Sequence, residues 1–331
     1  MRIFISGAGG PASVAFIRAV ARPGVEIFAG DIDPYAAGLY LVPRERRWML
    51  FRGADPRFID DVLARCIEAR VEIVVPAVDV ELLAFAKRRV DFASRGIALM
   101  LASDRALEAC IDKWRLVTTC AGVCPVPATA IVDDTFAANP WPVPFIVKPR
   151  RGSGGSGMRR IDDLASFADC PRDGRMVAQE VLSGAEYSVD VLSDRDALPL
   201  AVVPRSRLKI DSGIAVTGRT VRNDRLVSLA TAVATSLGLT FVSNIQFRED
   251  ASGTPKLLDV NARFPGTMPL TVAAGIDMPN LALDALLGRP IDARSLRYED
   301  LAVTRTWQEH FIPVAELSAM ERATRERDER P

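Results

Sequence analysis

Residues 1–105 alternate short apolar runs with amphipathic stretches, and few folds accommodate that alternation. Arg2–Ser6, Val25–Asp31 and Val71–Pro76 read as strands. Ala12–Ala21, Arg57–Arg70 and Val80–Phe92 carry helical periodicity between and after them. Two parallel strands need a long crossover between them, so a β–α–β succession implies a parallel sheet with helices on both faces. Ligands of such sheets bind outside the carboxyl ends of the strands. Here those ends carry Gly7–Pro11, Asp31 and Pro76–Asp79.

Past residue 105 the pattern changes. Asp104–Cys120 reads as one helical stretch, followed by Pro-rich passages at Cys124–Pro127 and Pro140–Pro144. A short strand at Phe145–Lys148 leads directly into the glycines of Gly152–Gly157, and this middle segment reads as a small separate domain. Beyond Gln179 the chain becomes strand-rich, with Glu186–Leu192, Leu200–Pro204, Val242–Phe247 and Lys256–Ala262 as strands. Asp224–Leu237 and Leu270–Leu287 are expected helices. The tail Ala319–Pro331 is charged or small throughout and is expected to be a frayed helix or disordered.

Composition excludes several functions. Lys plus Arg equal Asp plus Glu at 42 each, which argues against a general affinity for nucleic acid or an anionic membrane. No run of 18 apolar residues suggests a membrane span, and the N-terminus reads as a strand entering a Gly-rich turn, not as a signal peptide. Five scattered cysteines fit free thiols in a reducing cytoplasm. With His310 as the sole histidine, a zinc centre or a multi-histidine mechanism has no ligands to draw on.

Three clusters carry chemistry. Gly7-Ala8-Gly9-Gly10-Pro11-Ala12 is a G-x-G-x-x-A turn between strand and helix, with Asp31 where a ribose-binding acid would stand. It reads either as a dinucleotide site or as the tight turn any doubly wound sheet needs, and Pro11 removes one amide a phosphate would use. Lys148-Pro149-Arg150-Arg151-Gly152-Ser153-Gly154-Gly155-Ser156-Gly157 places a lysine before a basic, glycine-rich loop. Its amides can wrap polyphosphate with Lys148 neutralising charge, although the same run also reads as a Gly/Ser linker. Lys113 is a second cation or a solvated helix lysine.

The third cluster is Leu257-Leu258-Asp259-Val260-Asn261-Ala262-Arg263. On a strand, Leu258, Val260 and Ala262 share one face, and Asp259, Asn261 and Arg263 the other. The turn Glu249–Gly253 folds this strand back on Val242–Arg248, which would bring Gln246 near Asp259 or Asn261. One carboxylate and two amide oxygens make an oxygen-only Mg²⁺ site that leans on nucleotide phosphates, with Arg263 as a phosphate clamp. A polar exposed sheet face is the alternative.

Together with the segment Gln179-Glu180-Val181-Leu182-Ser183-Gly184-Ala185-Glu186, these clusters stand in an order and spacing that resemble the ATP-grasp superfamily. The resemblance covers essentially the whole chain. It is nearest to one ATP-grasp unit of the carbamoyl-phosphate synthase large subunit and to stand-alone carboxylate–amine ligases. It implies a mixed α/β and α+β fold: a Rossmann-like preATP-grasp parallel sheet at 1–105, a small lobe with a lid loop at 106–183, a large lobe at 184–318, with antiparallel sheets in the two lobes, and a charged tail at 319–331.

The resemblance also implies roles. Lys113 and Lys148 would meet the phosphates of ATP, and Gly152, Ser153, Gly154, Gly155, Ser156 and Gly157 would form the lid. Glu180, Val181 and Leu182 would line the adenine pocket, and Glu186 would hold ribose. Gln246, Asp259 and Asn261 would hold Mg²⁺, and Arg263 would stabilise an acyl phosphate. Asp259 stands where the family usually has Glu, and Gln246 where many members have an acid, so the site is poor in charge. Arg219, in the basic stretch that begins at Arg205, is the expected carboxylate or phosphate contact, with solvated charge as the alternative. Asp79 and Glu81 are candidates for a substrate ammonium, and Asp79 equally for a helix cap.

The implied reaction is ATP-dependent joining of a small carboxylate to an amine, amino acids among the possible substrates, releasing ADP and phosphate. Relatives are often dimers, so a homodimer is expected. Two other readings stay open: an NAD-dependent dehydrogenase using Gly7–Ala12 and Asp31, and a non-catalytic ATP-binding protein on the same scaffold.

Overall fold

The computed structural model describes residues 1–137, 141–152, 157–211, 214–306 and 308–329. Its N-terminal part contains β1 (Arg2–Ile5), α1 (Pro11–Val20), β2 (Glu26–Asp31), β3 (Arg47–Met49), α2 (Phe58–Glu68), β4 (Ile73–Val75), α3 (Asp79–Lys87), α4 (Arg89–Ser94) and β5 (Ala98–Leu99). The strands form a parallel sheet in the order β3-β2-β1-β4-β5. Strand β3 is short and carries little periodicity in the sequence. Its Trp48 stacks on Phe4 at 4.8 Å, so it is held by aromatic packing.

Next come α5 (Asp104–Ile111) and α6 (Lys113–Cys120), then β6 (Thr129–Val132), β7 (Phe145–Pro149), β8 (Arg159–Ile161) and β9 (Met176–Glu180). The expected single helix over 104–120 is broken at Asp112. That residue leaves helical geometry and caps α6, accepting hydrogen bonds from the Trp114 and Arg115 amides. Strands β6–β9 form an antiparallel sheet in the order β6-β9-β7-β8 with its own apolar core around Phe145, Val147 and Phe167.

The remainder holds β10 (Glu186–Ser193), β11 (Pro199–Asp211), β12 (Ile214–Thr220), α7 (Asp224–Leu237), β13 (Phe241–Glu249), β14 (Pro255–Asn261), α8 (Met268–Ala273), α9 (Met278–Leu287), β15 (Ala302–Thr304) and α10 (Val314–Asp328). Its strands form an antiparallel sheet in the order β14-β13-β10-β11-β12-β15. Helix α7 has the bounds its sequence signals, an Asn223 cap bonded to the Leu226 amide and a left-handed Gly238 after its last turn. The expected helix over 270–287 is two helices, because Gly275 adopts φ of +117° between them. Val80–Phe92 likewise splits at Arg88.

One face of the large sheet, with Val189, Val191, Ile245, Phe247 and Val260, shares a core with α5, α6, α7 and one face of the N-terminal sheet. The other face of the N-terminal sheet packs with α1, α9 and Met320 of α10. The expected frayed tail is therefore corrected: among its described residues it belongs to a packed helix. Arg47 pairs with Glu316 at 2.6 Å, and Arg327 donates to the backbone oxygens of Leu50 and Ile32. Its charges meet partners on the first sheet, which sequence polarity cannot reveal.

The large sheet's second face buries a polar network. Asp190 accepts from Arg205 through Nε and Nη2 at 3.0 and 2.5 Å, from Asn244 Nδ2 at 2.7 Å and from Thr271 Oγ1 at 2.5 Å. Removing one member strands a buried charge. Asp190→Ala is expected to destabilise the chain by about 3–5 kcal/mol, read from the urea midpoint. Replacing Asp190 and Arg205 together by apolar residues should cost less than the single change.

Candidate active site

The site is organised by the antiparallel pair β13–β14. Gln246 lies directly opposite Asp259, and Asn244 opposite Asn261. The expected hairpin is present, with one correction. Phe247 pairs with Leu257, so Leu258 is the extra residue of a bulge, and Leu257 takes the core position expected of Leu258. Asp259, Asn261 and Arg263 keep the polar face.

The four-stranded sheet brings a lysine to this face. Lys148 on β7 is 9% exposed and close enough to Asp259 and Lys113 for their charges to act on it. Burial lowers its ammonium to a pKa of about 8; Asp259 opposes the shift and Lys113 adds to it. Burial likewise raises the Asp259 carboxyl above the usual carboxylate range, against the pull of Lys113 and Lys148 and with the help of Asp79. Lys113 Nζ donates to the Gly152 carbonyl at 2.6 Å, at the entrance of the glycine-rich loop. Gly152 and Gly157 both have positive φ. Ser153, Gly154, Gly155 and Ser156 lie outside the described residues.

Arg263 is clamped by Asp79 from the start of α3, Nε to Oδ1 at 2.6 Å and Nη2 to Oδ2 at 2.7 Å. It also donates to Asn261 Oδ1 at 3.3 Å and the Phe264 carbonyl at 3.2 Å. Both Asp79 oxygens are thus engaged by Arg263, and Asp79 is not the helix cap: Val78 occupies the N-cap position of α3, without a side-chain cap bond. Glu81 is 4% exposed beneath Gly53 and beside Ser6, with its carboxyl raised to about 7 by burial.

The remaining expected residues are dispersed. Glu180 accepts from the Ala128 amide at 2.7 Å and pairs with Lys256 of β14, so it ties the two lobes. With Val181 it lines a crevice of about 620 Å³; Leu182 is buried. Glu186 sits between Arg207 at 3.2 Å and Arg248 at 3.9 Å. Arg219 is not brought to the site. It pairs with Ser206, and strand alternation puts it on the face opposite Arg205, exposed and beside Tyr187.

The first glycine turn is engaged by its own neighbours. The Gly9 amide donates to Asp31 Oδ2 at 2.7 Å, the Gly38 amide donates to the Ala8 carbonyl at 3.1 Å, and Gly266 abuts Pro11. Asp31, expected to bind ribose, closes the loop on itself, and the dehydrogenase reading loses its site.

Three further polar residues stand on or near the polar face. Asn244 stands two places before Gln246, so period-2 alternation already put both on one face. Asp190 gave no local signal. Neither did Arg305, whose Nη2 reaches the Gly266 carbonyl at 2.5 Å.

Around Asp259 the polar face carries one carboxylate and two side-chain amides, Gln246 directly opposite and Asn261 two residues on, its oxygen accepting from Arg263, with the charges of Lys113 and Lys148 acting on Asp259. That suits a hard cation whose remaining ligands come from phosphates. Among the described residues no group of three His, Cys, Asp or Glu could hold a metal ion by itself.

Family models match in succession. A PylC-like N-terminal domain fits residues 3–100, and an ATP-grasp domain, described as belonging to a biosynthetic pathway with the Ter operon, fits residues 172–309. Residues 172–309 thus match the ATP-grasp family. The chain is similar to a D-alanine–D-alanine ligase of Anaeromyxobacter sp. (strain Fw109-5), 27% identical over 178 residues, or 48% of this chain and 56% of that one. The chain thus spans about half the length of that relative. Two solved structures share the fold. The MgADP-, ADP- and bicarbonate-bound biotin carboxylase domain dimer of the Hydrogenobacter thermophilus 2-oxoglutarate carboxylase has a TM-score of 0.72, 17% identity, and coverage of 90% of this chain and 72% of that one. The L-amino acid ligase of Bacillus licheniformis has a TM-score of 0.69, 19% identity, and coverage of 90% and 77%.

Lys148 generates a prediction. Below about pH 8 its ammonium is charged and available to a phosphate; as pH rises through that value the charge is lost. ADP affinity is expected to fall above pH 8 by up to about tenfold per pH unit. In Lys148→Arg, whose guanidinium stays charged, calorimetric titrations should show no inflection there.

Proposed function

We propose that this chain is an ATP-grasp protein, an ATP-dependent carboxylate–amine ligase that works through an acyl phosphate and releases ADP and phosphate. The observation that carries the reading is the convergence of Lys113 and Lys148 on Asp259, directly across the strand pair from Gln246. Two cations beside an oxygen-rich cation site complement a polyphosphate, and no nucleophilic side chain is required.

In this reading Lys113 and Lys148 bind the phosphates, and the loop begun at Gly152 covers them. Glu180, Val181 and Leu182 border the adenine, and Glu186 meets the ribose. Asp259, Asn261 and Gln246 would hold Mg²⁺, which when bound offsets charge on the transferring phosphoryl group. An oxygen of the substrate carboxylate attacks the γ-phosphorus, and the bond to the β–γ bridging oxygen breaks, releasing ADP. The amine nitrogen then attacks the acyl carbon, phosphate departs with the acyl C–O bonding pair, and the nitrogen loses a proton. Arg263, its plane fixed by Asp79, stabilises the acyl phosphate and the charge developing on it. Asp79 acts as its orienting partner.

Amino acids are the proposed substrates, because the relatives include a D-alanine–D-alanine ligase and an L-amino acid ligase. Arg219 faces away, so Arg305 beside Gly266 is the better-placed carboxylate contact. Five free, buried cysteines support a reducing cytoplasm, and no helix among the described residues is long and apolar enough to cross a membrane. A homodimer is proposed by likeness to the Hydrogenobacter domain dimer.

The test is ADP release from MgATP with pooled amino acids and small carboxylic acids. Release that requires a pool is expected, and Arg263→Ala should lower that rate by about 100-fold or more. ATP binding without release from any pool would instead mark a non-catalytic nucleotide binder. An unchanged rate in Arg263→Ala would remove Arg263 from the chemistry.

A further inference from the structure

The proposed cation site contains a primary amide, Gln246, whose two ends are chemically opposite. Its oxygen attracts a cation and its NH₂ repels one, while a half-turn of the amide exchanges them at almost no steric cost. Something must choose the orientation. The hydrogen-bond network on the buried face of the large sheet makes that choice, starting two residues away on the same strand.

Asp190 is fully buried, and the Arg205 guanidinium grips both its oxygens. It therefore presents acceptors only, and whatever approaches Oδ1 must donate. Asn244 does so with Nδ2 at 2.7 Å. This turns Asn244 Oδ1 the other way, where it accepts from Gln246 Nε2 at 3.2 Å. With its NH₂ held on Asn244, Gln246 keeps Oε1 for the opposite side. Asn244 is 3% exposed, so water does not compete for its amide. We infer that Asn244 is a positioning residue, which relays the acceptor-only character of Asp190 to Gln246 so that a carbonyl oxygen meets the cation. The inference rests on the reading of Gln246, Asp259 and Asn261 as cation ligands.

The test uses Mn²⁺ as the probe, bound to the full chain in complex with ADP and followed by electron paramagnetic resonance of the free ion. Asn244→Leu should weaken Mn²⁺ binding about tenfold, as loss of an orienting partner typically does. ADP affinity without metal should stay within about twofold of the parent. Adding Gln246→Glu should restore Mn²⁺ affinity, because a carboxylate offers oxygen in either orientation. The added charge strengthens Mn²⁺ binding on any background, so the rescue is read as a gain on Asn244→Leu that exceeds the gain of Gln246→Glu alone, which a purely structural role does not predict. Asn244→Ser, too short to hold Gln246, serves if the leucine variant does not fold. Gln246→Leu is the control: wild-type Mn²⁺ affinity in this variant would overturn the cation reading itself. If Gln246→Leu weakens Mn²⁺ while the Asn244 variants do not, or if Gln246→Glu fails to rescue them, the positioning role is overturned.

Discussion

The arrangement depends first on the register of β13 against β14. A one-residue slip would send Asp259 and Asn261 into the core and Val260 onto the polar face. The bulge at Leu258 limits this risk, because Phe247 can pair with Leu257 while Gln246 still faces Asp259. Apolar side chains on one side hold the pair onto α5, α6 and α7, leaving the other side free to be polar. Burial that stabilises the sheet thus also aims the functional groups.

Two buried ionic systems meet on that polar side, and they differ in kind. Asp190 with Arg205, Asn244 and Thr271 is saturated by partners and behaves as structure. Lys148 and Asp259 are perturbed by burial, Lys148 downward and Asp259 upward, and lie close enough for each charge to act on the other. Incompletely satisfied charge in a desolvated cleft is what a charged ligand can exploit. The Asp79–Arg263 clamp joins this cleft to the N-terminal sheet, so that sheet contributes geometry as well as mass.

Much of the site was legible because its signals are local. Lys148 before its glycines, the alternating Asp259, Asn261 and Arg263, and the turn pairing them with Gln246 all follow from strand period and turn chemistry. The glycine turn at Gly7–Ala12 misleads for an equally physical reason. Its spacing permits phosphate binding, but Asp31 takes the Gly9 amide, and the Gly38 amide bonds the Ala8 carbonyl so that its segment packs on the loop. Arg219 misleads because charge along a strand says nothing about which face it occupies until the register is known.

What the sequence alone determined is therefore periodic or local: the parallel sheet of the first hundred residues, helix α7 with its caps, the hairpin of β13 and β14, and the residue types a polyphosphate site needs. The tertiary structure decided everything that depends on contacts between distant segments. It placed Arg219 outside, spent Asp79 on Arg263, docked the charged tail on β3 and put Asp190 behind Asn244. Such contacts join residues tens to hundreds of positions apart, and no period or spacing within one segment encodes them.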